Sequence, residues 1–377
     1  MKFLILCLSL LLPLSAHAGF VPSPPQFEAK SYALMDYASG DFLASDNAGE
    51  HLSPASMTKI MTAYILFEEL EKGRIHLDDT VLISRKAWMP GNSASKMFIK
   101  VGTRVSVDDL LQGLIVPSGN DAAVALAEHV AGSTSAFVQL MNQTAKRMGL
   151  KDTHFSDVNG LPIADHYSSA HDLCILARNL IQRFPKYYPM FSEKHFTYNK
   201  ITQPNTNELL FQDPSVDGVK TGFTDDAGYC LLASAKRNGR RLISVVMGTP
   251  SESARARANE ALLNYGYRFF ETDALFGAKS PALKIRVYKG TTEQLPIGTL
   301  EPVYLGLPSG SHDHLQIVPK INEPVLAPVK AGQVLGQATI MLDGKALKTV
   351  PLVALQDDAV GGLMHRAADQ IRLWIKG

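Results

Sequence analysis

Gly228-Tyr229-Cys230-Leu231-Leu232-Ala233-Ser234-Ala235-Lys236 and Arg241-Leu242-Ile243-Ser244-Val245-Val246-Met247 are two apolar runs joined through Asn238-Gly239. Asn-Gly suits a two-residue turn in which both positions take positive φ, so the pair predicts an antiparallel hairpin. A helical pattern follows from about Ser253 to Phe270, and Ser31 to Leu43 reads as a second hairpin around Ser39-Gly40-Asp41. Between the hairpins, Ile60, Met61, Tyr64, Ile65, Phe67 and Leu70 recur at helical spacing from Ser56 to about Glu71. Further helical patterns occupy 107–116, 121–131, 135–148 and 169–183. Strand, helices, strands, helix is the order of an α+β domain.

The chain has 377 residues, 37 Lys+Arg against 36 Asp+Glu, 46% hydrophobic and 19% charged residues. That balance excludes a disordered tail and a nucleic-acid-coating protein, so no nucleic-acid partner is expected. The length allows one large and one smaller domain. Beyond Gly277 the pattern changes: Leu283-Lys284-Ile285-Arg286-Val287-Tyr288 alternates strictly, and short runs recur at 302–307, 314–318, 337–342 and 350–355. This predicts a small all-β domain over 280–360. From 361 to 377 the chain reads as one amphipathic helix. Leu363, Met364, Ala367, Ala368, Ile371, Trp374 and Ile375 fall within an arc of about 140° on a helical wheel, and only Leu373 strays. Arg366, Asp369, Gln370, Arg372 and Lys376 take the other side, which suits a helix lying in the plane of an anionic bilayer. The alternative is a helix docked on its own protein.

At the other end, Lys2 precedes an apolar run from Phe3 to Leu14 and then Ala16-His17-Ala18, a small-x-small cleavage pattern. The run is shorter than the roughly 20 residues that span a bilayer, so 1–18 is expected to be an export signal rather than an anchor. Cleavage would remove Lys2 and Cys7, leaving Cys174 and Cys230 in an oxidising compartment, either as buried thiols or as a bridge.

Three short motifs carry chemistry. In Ser56-Met57-Thr58-Lys59, at a helix start, side chains at i and i+3 share a face. A lysine kept neutral by burial could then deprotonate the serine. Ser118-Gly119-Asn120 opens another helix; Ser118 with Asp121 is a plausible capping pair, or its hydroxyl relays a proton while Asn120 holds a carbonyl. Lys220-Thr221-Gly222 supplies a cation and a hydroxyl for a carboxylate, with Gly222 allowing a substrate strand to lie against the backbone. Each alone is a weak signal.

In this order, S-x-x-K, S-x-N and K-T-G are the active-site set of penicillin-recognising serine enzymes, and the chain resembles the low-molecular-mass penicillin-binding proteins that act as D-alanyl-D-alanine carboxypeptidases. The resemblance extends over Pro54-Ala55-Ser56-Met57-Thr58-Lys59-Ile60-Met61-Thr62, Pro117-Ser118-Gly119-Asn120-Asp121-Ala122-Ala123 and Lys220-Thr221-Gly222-Phe223-Thr224. It also covers Asn159-Gly160-Leu161-Pro162 and Tyr265-Gly266-Tyr267-Arg268-Phe269-Phe270. It implies a serine β-lactamase/transpeptidase-like catalytic domain over 27–275 ahead of the β domain and the helix. It further implies that Ser56 attacks the carbonyl between the last two D-alanines of a peptidoglycan stem peptide, with Lys59 taking its proton, Ser118 passing it on and Asn120 orienting the peptide. The backbone N–H groups of Ser56 and Phe223 would stabilise the oxyanion, and Lys220 and Thr221 would bind the carboxylate, helped by Arg255, with Arg257 as the alternative. β-Lactams would acylate the same serine. No cofactor and no metal are implied, and the place of action would be the periplasmic face of the inner membrane, held there by the C-terminal helix. One branch of the family carries His after K-T-G where this chain has Phe223.

A serine β-lactamase or transpeptidase shares the nucleophile, but the lactamase string E-x-x-L-N belongs between the second and third motifs, whereas Glu260-Ala261-Leu262-Leu263-Asn264 follows the third. A non-enzymatic cell-wall binding protein is a further alternative, opposed by the intact Ser56, Lys59, Asn120 and Lys220. His312-Asp313-His314 resembles a metal-binding pair but sits in a turn without a nearby third ligand, and His166 and His171 flank Ser168-Ser169, where Ser169 and Asp172 can cap a helix. A general-base role for either histidine is the weaker reading.

Overall fold

The computed structural model of the chain describes residues 21–89 and 95–376; the expected signal over 1–18 lies outside them. Two compact units result, one built from Ser23–Leu275 with Val303–Leu307, the other from Phe276–Pro302 and the chain from Pro308 onward.

In the first unit, β1 (Ser31–Asp36) and β2 (Phe42–Asp46) pair as the expected hairpin, with Gly40 at φ 75° in the turn. A 3-10 turn, Ala55–Thr58, runs into α1 (Lys59–Glu71). The short antiparallel pair β3 (Thr80–Leu82) and β4 (Arg104–Ser106) brackets α2 (Arg85–Trp88). Then come α3 (Val107–Ile115), α4 (Asn120–Ala131), α5 (Thr134–Met148) and α6 (Ala170–Arg183). β5 (His195–Tyr198) and β6 (Ile201–Pro204) make a short hairpin, α7 (Leu209–Gln212) follows, and β7 (Val216–Thr224), β8 (Gly228–Arg237), β9 (Arg240–Thr249) and α8 (Glu252–Phe269) complete the main sheet and its covering helix.

Local chemistry sets these boundaries. The hydroxyls of Ser106, Ser133, Ser169 and Ser251 accept from the N–H groups of Asp109, Ala136, Asp172 and Ala254, satisfying donors that a helix start leaves open. The β8–β9 turn is Asn238-Gly239 at φ 50° and 82°. Strand order in the sheet is β2-β1-β9-β8-β7, leaving β7 at an edge. Ala33, Met35, Ile243, Val245 and Met247 join the core shared with the helices, while Ser244 on the other face of β9 bonds Asn259 of α8. α1 is buried from Lys59 to Glu69, as befits a helix apolar on nearly all sides. Its first residue, a lysine, is therefore held out of water.

β7 is the strand of the main sheet that the sequence pattern does not announce, as it does not announce the short β3, β4, β5 and β6 or the later strands Phe270–Phe276 and Leu295–Gly298. Two glycines, Lys220 and two threonines make β7 a poor strand by propensity, and pairing with β8 from Gly218↔Ser234 to Thr224↔Gly228 overrides that. The suggested Cys174–Cys230 bridge is absent. Cys174 Sγ donates to the Ala33 carbonyl and Cys230 Sγ to that of Ala227, as separate buried thiols.

β10 (Phe270–Phe276) pairs with β13 (Val303–Pro308), with β11 (Pro281–Ile285) and β12 (Leu295–Gly298) between them in the chain. β14 (Leu315–Ile321), β15 (Val334–Leu342) and β16 (Lys345–Ala354) follow, and the second unit's antiparallel sheet runs β11-β12-β16-β15-β14. So the run at 302–307 pairs with β10 rather than entering this sheet. His314 Nδ1 lies 2.7 Å from Asp343 Oδ1, at the turn joining β15 and β16.

α9 (Leu363–Lys376) docks within the second unit by its polar side: buried Asp369 accepts from Arg286 Nη2 at 2.8 Å and from the Lys289 N–H at 2.6 Å. Leu373, the residue that strays from the apolar arc, is half-buried on that side. Leu363, Met364, Ile371, Trp374 and Ile375 are 63–88% exposed. No described helix is long and apolar enough to cross a membrane.

Candidate active site

Ser56 sits in the 3-10 turn, one residue after Ala55, whose φ of 47° is left-handed. A non-glycine residue there costs roughly 1–2 kcal/mol, which the surrounding packing must offset. The turn carries Lys59 onto the same face, with Nζ 2.8 Å from Ser56 Oγ and donating to the Asn159 carbonyl at 2.8 Å. Burial at the start of α1 lowers the Lys59 pKa to about 7, against the opposing pull of Asp157 and Asp121. A large fraction of the amine is then neutral near pH 7, as a general base requires.

Ser118 also lies in the left-handed region, at φ 64°, between α3 and α4. It does not cap α4; Gly119 holds that position without a side-chain bond. Asp121, the other half of the supposed capping pair, accepts instead from the N–H groups of Met97, Phe98 and Ile99, tying that segment down. Ser118 Oγ is buried with no hydrogen-bond partner among the described residues, an arrangement that leaves it available for proton transfer. Asn120 is buried, and its N–H donates to the Ser95 carbonyl at 2.9 Å.

Lys220, Thr221, Gly222 and Phe223 come from β7. Lys220 is buried, and burial, Lys59 and Arg255 together hold its pKa well below the usual lysine value. Thr221 Oγ1 donates to Thr206 Oγ1 at 2.7 Å, and Arg255 Nη2 reaches the Thr206 carbonyl at 3.4 Å. Thr206 was not foreseen; it joins the two groups expected to face a carboxylate. Gly222 is explained differently from the sequence reading, because its missing side chain faces the nucleophile's turn: a Cβ there would stand 2.8 Å from the Pro54 carbonyl oxygen. Phe223 is half-exposed and packs against Tyr229, ring centroids 4.3 Å apart, and Tyr229 in turn lies beneath the Arg255 guanidinium.

A cavity of about 820 Å³ is lined by Ser56, Ser118, Thr206, Thr221, Phe223 and Arg255 among others, while Lys59, Asn120 and Lys220 are buried and do not line it. Arg255 is buried in this cleft, while Arg257 is exposed and lines a separate small cavity. Glu260 is exposed on α8, and Asn264 accepts from Arg237. His171 stacks on Phe42 beside Asp172, and His166 is buried against Thr58; neither lines the cleft.

The sequence reading gave no role to the loop 156–161. Asp157 accepts from the N–H groups of Asn159, Gly160 and Leu161, and that fold presents the Asn159 carbonyl to Lys59. An aspartate two residues before Asn-Gly was the available signal.

A serine with a neutral base, a buried second hydroxyl and a cationic end is equipped for acyl transfer on a substrate bearing a carboxylate. Two family profiles match the chain, one described as D-alanyl-D-alanine carboxypeptidase over residues 18–251, the other as the C-terminal domain of penicillin-binding protein 5 over 270–359. D-alanyl-D-alanine carboxypeptidase DacC of Escherichia coli (strain K12) is 42% identical over 355 residues, 93% of this chain and 89% of that protein. D-alanyl-D-alanine carboxypeptidase DacF of Bacillus subtilis (strain 168) is 36% identical over 93% of this chain and 90% of its own length. Penicillin-binding protein 5 from Haemophilus influenzae superposes with a TM-score of 0.87 at 41% identity, covering 90% of this chain and 99% of that one.

Proposed function

The chain belongs to the D-alanyl-D-alanine carboxypeptidase family, and from that premise we propose which of its residues perform the reaction. It is a serine peptidase of the cell wall, acting on peptidoglycan peptides that end in D-Ala-D-Ala. The observation that carries the assignment is the buried Lys59 Nζ at 2.8 Å from Oγ of Ser56, which lines the cleft.

Lys59 takes the Ser56 hydroxyl proton as Oγ bonds to the penultimate D-alanine carbonyl carbon. The carbonyl π electrons move to oxygen, where the N–H groups of Ser56 and Phe223 stabilise the charge; one such donor is worth about 3 kcal/mol. The C–N bond then breaks, the proton passes from Lys59 through Ser118 to the departing D-alanine amine, and an ester on Ser56 remains. Water, deprotonated by the same lysine, attacks that ester and regenerates the hydroxyl. Asn120 orients the peptide. Lys220, Thr221 and Arg255 hold its terminal carboxylate, whose negative charge favours the ammonium form of Lys220 against the burial that lowers its pKa. The edge position of β7 supports a substrate added as one more antiparallel strand. A β-lactam meets the same groups and stops at the ester.

The test is release of free D-alanine from a peptide ending in Lys-D-Ala-D-Ala, wild type against Ser56→Ala. Release that vanishes in the variant supports the assignment; release that persists overturns it. Acylation by penicillin without release would keep the nucleophile and discard the substrate.

The protein works, on this reading, at the periplasmic face of the inner membrane after export, held by α9. The exposed apolar stripe of α9 and the signal-like start of the sequence support it. Removal of residues 363–377 should release the protein from membranes; unchanged sedimentation would overturn the anchor.

A further inference from the structure

His166 lies outside the cleft, yet its ring joins the two elements that hold the general base. Its side chain is fully buried. Nδ1 stands 2.9 Å from the Ser156 backbone nitrogen, whose N–H donates to it, so Nδ1 carries no proton. In the neutral ring the proton is then on Nε2, which donates to Thr58 Oγ1 at 2.8 Å. Thr58 immediately precedes Lys59, and Ser156 is three residues before Asn159, whose carbonyl accepts from Lys59 Nζ.

We propose that His166 is a positioning residue for Lys59, a rigid spacer that clamps the nucleophile's turn to the loop 156–161 and so fixes the Lys59–Asn159 contact. The inference rests on Lys59 being the base for acylation.

The seam it spans has no slack. One turn further along α1, Thr62 Oγ1 donates to the Val158 carbonyl at 3.1 Å. On the other side of Lys59, Gly160 presses on the turn so closely that a Cβ would fall 1.7 Å from the Ala55 carbonyl oxygen. The groups facing the ring are Thr58 from the turn, Asp157 with Oδ1 3.7 Å from Nδ1, the Phe155 ring at 5.9 Å, and His154. Burial and His154 hold His166 neutral against the pull of Asp157, so both hydrogen bonds persist at neutral pH. Removing the ring leaves the buried Thr58 Oγ1 and the half-buried N–H groups of Ser156 and Asp157 without that partner, and water must enter the seam to hydrate them. Water then reaches Lys59, whose low proton affinity depends on its dryness and whose charged neighbours are Asp157, Asp121 and Lys220.

The experiment is stopped-flow acylation of the full chain by a fluorescent penicillin across pH, with thermal melts alongside. In the wild type the rate rises through a midpoint near 7, following Lys59. His166→Ala should slow acylation by about 10- to 100-fold at pH 7 and move the rising limb up by about one pH unit. His166→Gln, whose carboxamide offers one donor and one acceptor at the spacing of the two ring nitrogens, should stay within about threefold of wild type. Thr58→Val, which keeps the side-chain shape and deletes the acceptor, should shift the limb in the same direction. The double variant His166→Ala with Thr58→Val should be no slower than the worse single one. A wild-type limb in His166→Ala or Thr58→Val overturns the proposal, as does a folded His166→Gln that loses as much as alanine. Should His166→Ala fail to fold, Thr58→Val reads the same contact. A wild type that no penicillin acylates would instead overturn the assignment of the site itself.

Discussion

Gly222 and Pro54 meet backbone to backbone: a β-carbon on the glycine would lie 2.8 Å from the proline carbonyl oxygen and 3.4 Å from the Ser56 nitrogen. The strand proposed to hold substrate and the turn that carries the nucleophile are therefore one rigid assembly. Gly222→Ala must push β7 away from the turn, and with it the neighbouring Phe223 N–H. Acylation by penicillin should fall about 100-fold, since a displacement of about 1 Å at a reacting centre has that scale of effect. Stability should drop by only about 1–3 kcal/mol, as for overpacking. Kinetics and urea melts together test this, and wild-type rates in the variant would refute the rigid coupling.

Lys59 should cost stability in return for reactivity. Its pKa is about 7 in the fold and about 10.4 in an unfolded chain, so between those values the unfolded state binds more protons and stability rises with pH. A difference of about three units is worth roughly 4–5 kcal/mol, fully lost below pH 7 and recovered only above 10.4. Lys59→Met should abolish acylation yet raise stability at pH 7 by about 1–4 kcal/mol, the lower figure allowing for the partner lost by the Asn159 carbonyl. Urea melts at pH 7 and 9.5 should show a pH rise in wild type that is flattened in Lys59→Met. A destabilised variant would contradict the desolvation account.

Arg255 and Arg257 should separate cleanly. Arg255→Ala removes a buried cation from the cleft, and the loss of a charge-assisted bond of about 1.5–3 kcal/mol predicts a 10- to 150-fold fall in kcat/KM on a peptide with a free C-terminus. On the same peptide capped as an amide, wild type and Arg255→Ala should be equally poor. Arg257→Ala, altering an exposed helix position, should change neither substrate more than about twofold. Equal effects of the two alanines would remove Arg255 from carboxylate binding.

How far the sequence could be read depended on whether the cause was local. Asn238-Gly239, the serine caps of α3, α5, α6 and α8, and the periodicity of α1 are written within a few residues of where they act, and each element was legible. Ser56 with Lys59 was legible for the same reason, being one turn apart. β7 was not, because its pairing with β8 outweighs its own composition, nor was the Thr206 bridge, which joins residues 15 apart to Thr221 and 49 apart to Arg255. The Ser118–Asp121 reading failed because Asp121 serves a segment more than 20 residues earlier.

α9 shows the same division within one helix, since its pattern was clear but its docking side was not. Asp369 is buried against Arg286 and the Lys289 N–H; burial by itself would raise its pKa, but those donors with Arg372 hold it below the usual carboxylate range. A carboxyl depressed in this way contributes docking energy above its ordinary pKa of about 4 and loses it as the pH falls further. The apolar stripe takes no part in that contact, because Leu363, Met364, Trp374 and Ile375 are each more than four-fifths exposed. Docking and membrane attachment should therefore respond to different substitutions. Asp369→Ala should raise amide exchange across 363–376 while leaving sedimentation with anionic vesicles unchanged. Ile371→Glu with Trp374→Glu should leave exchange near wild type and abolish sedimentation, because two charges then oppose burial in the interface. If Asp369→Ala released the protein from vesicles, the latch and the anchor would be one device, and the orientation imposed by Arg286 and Lys289 would be required for binding lipid.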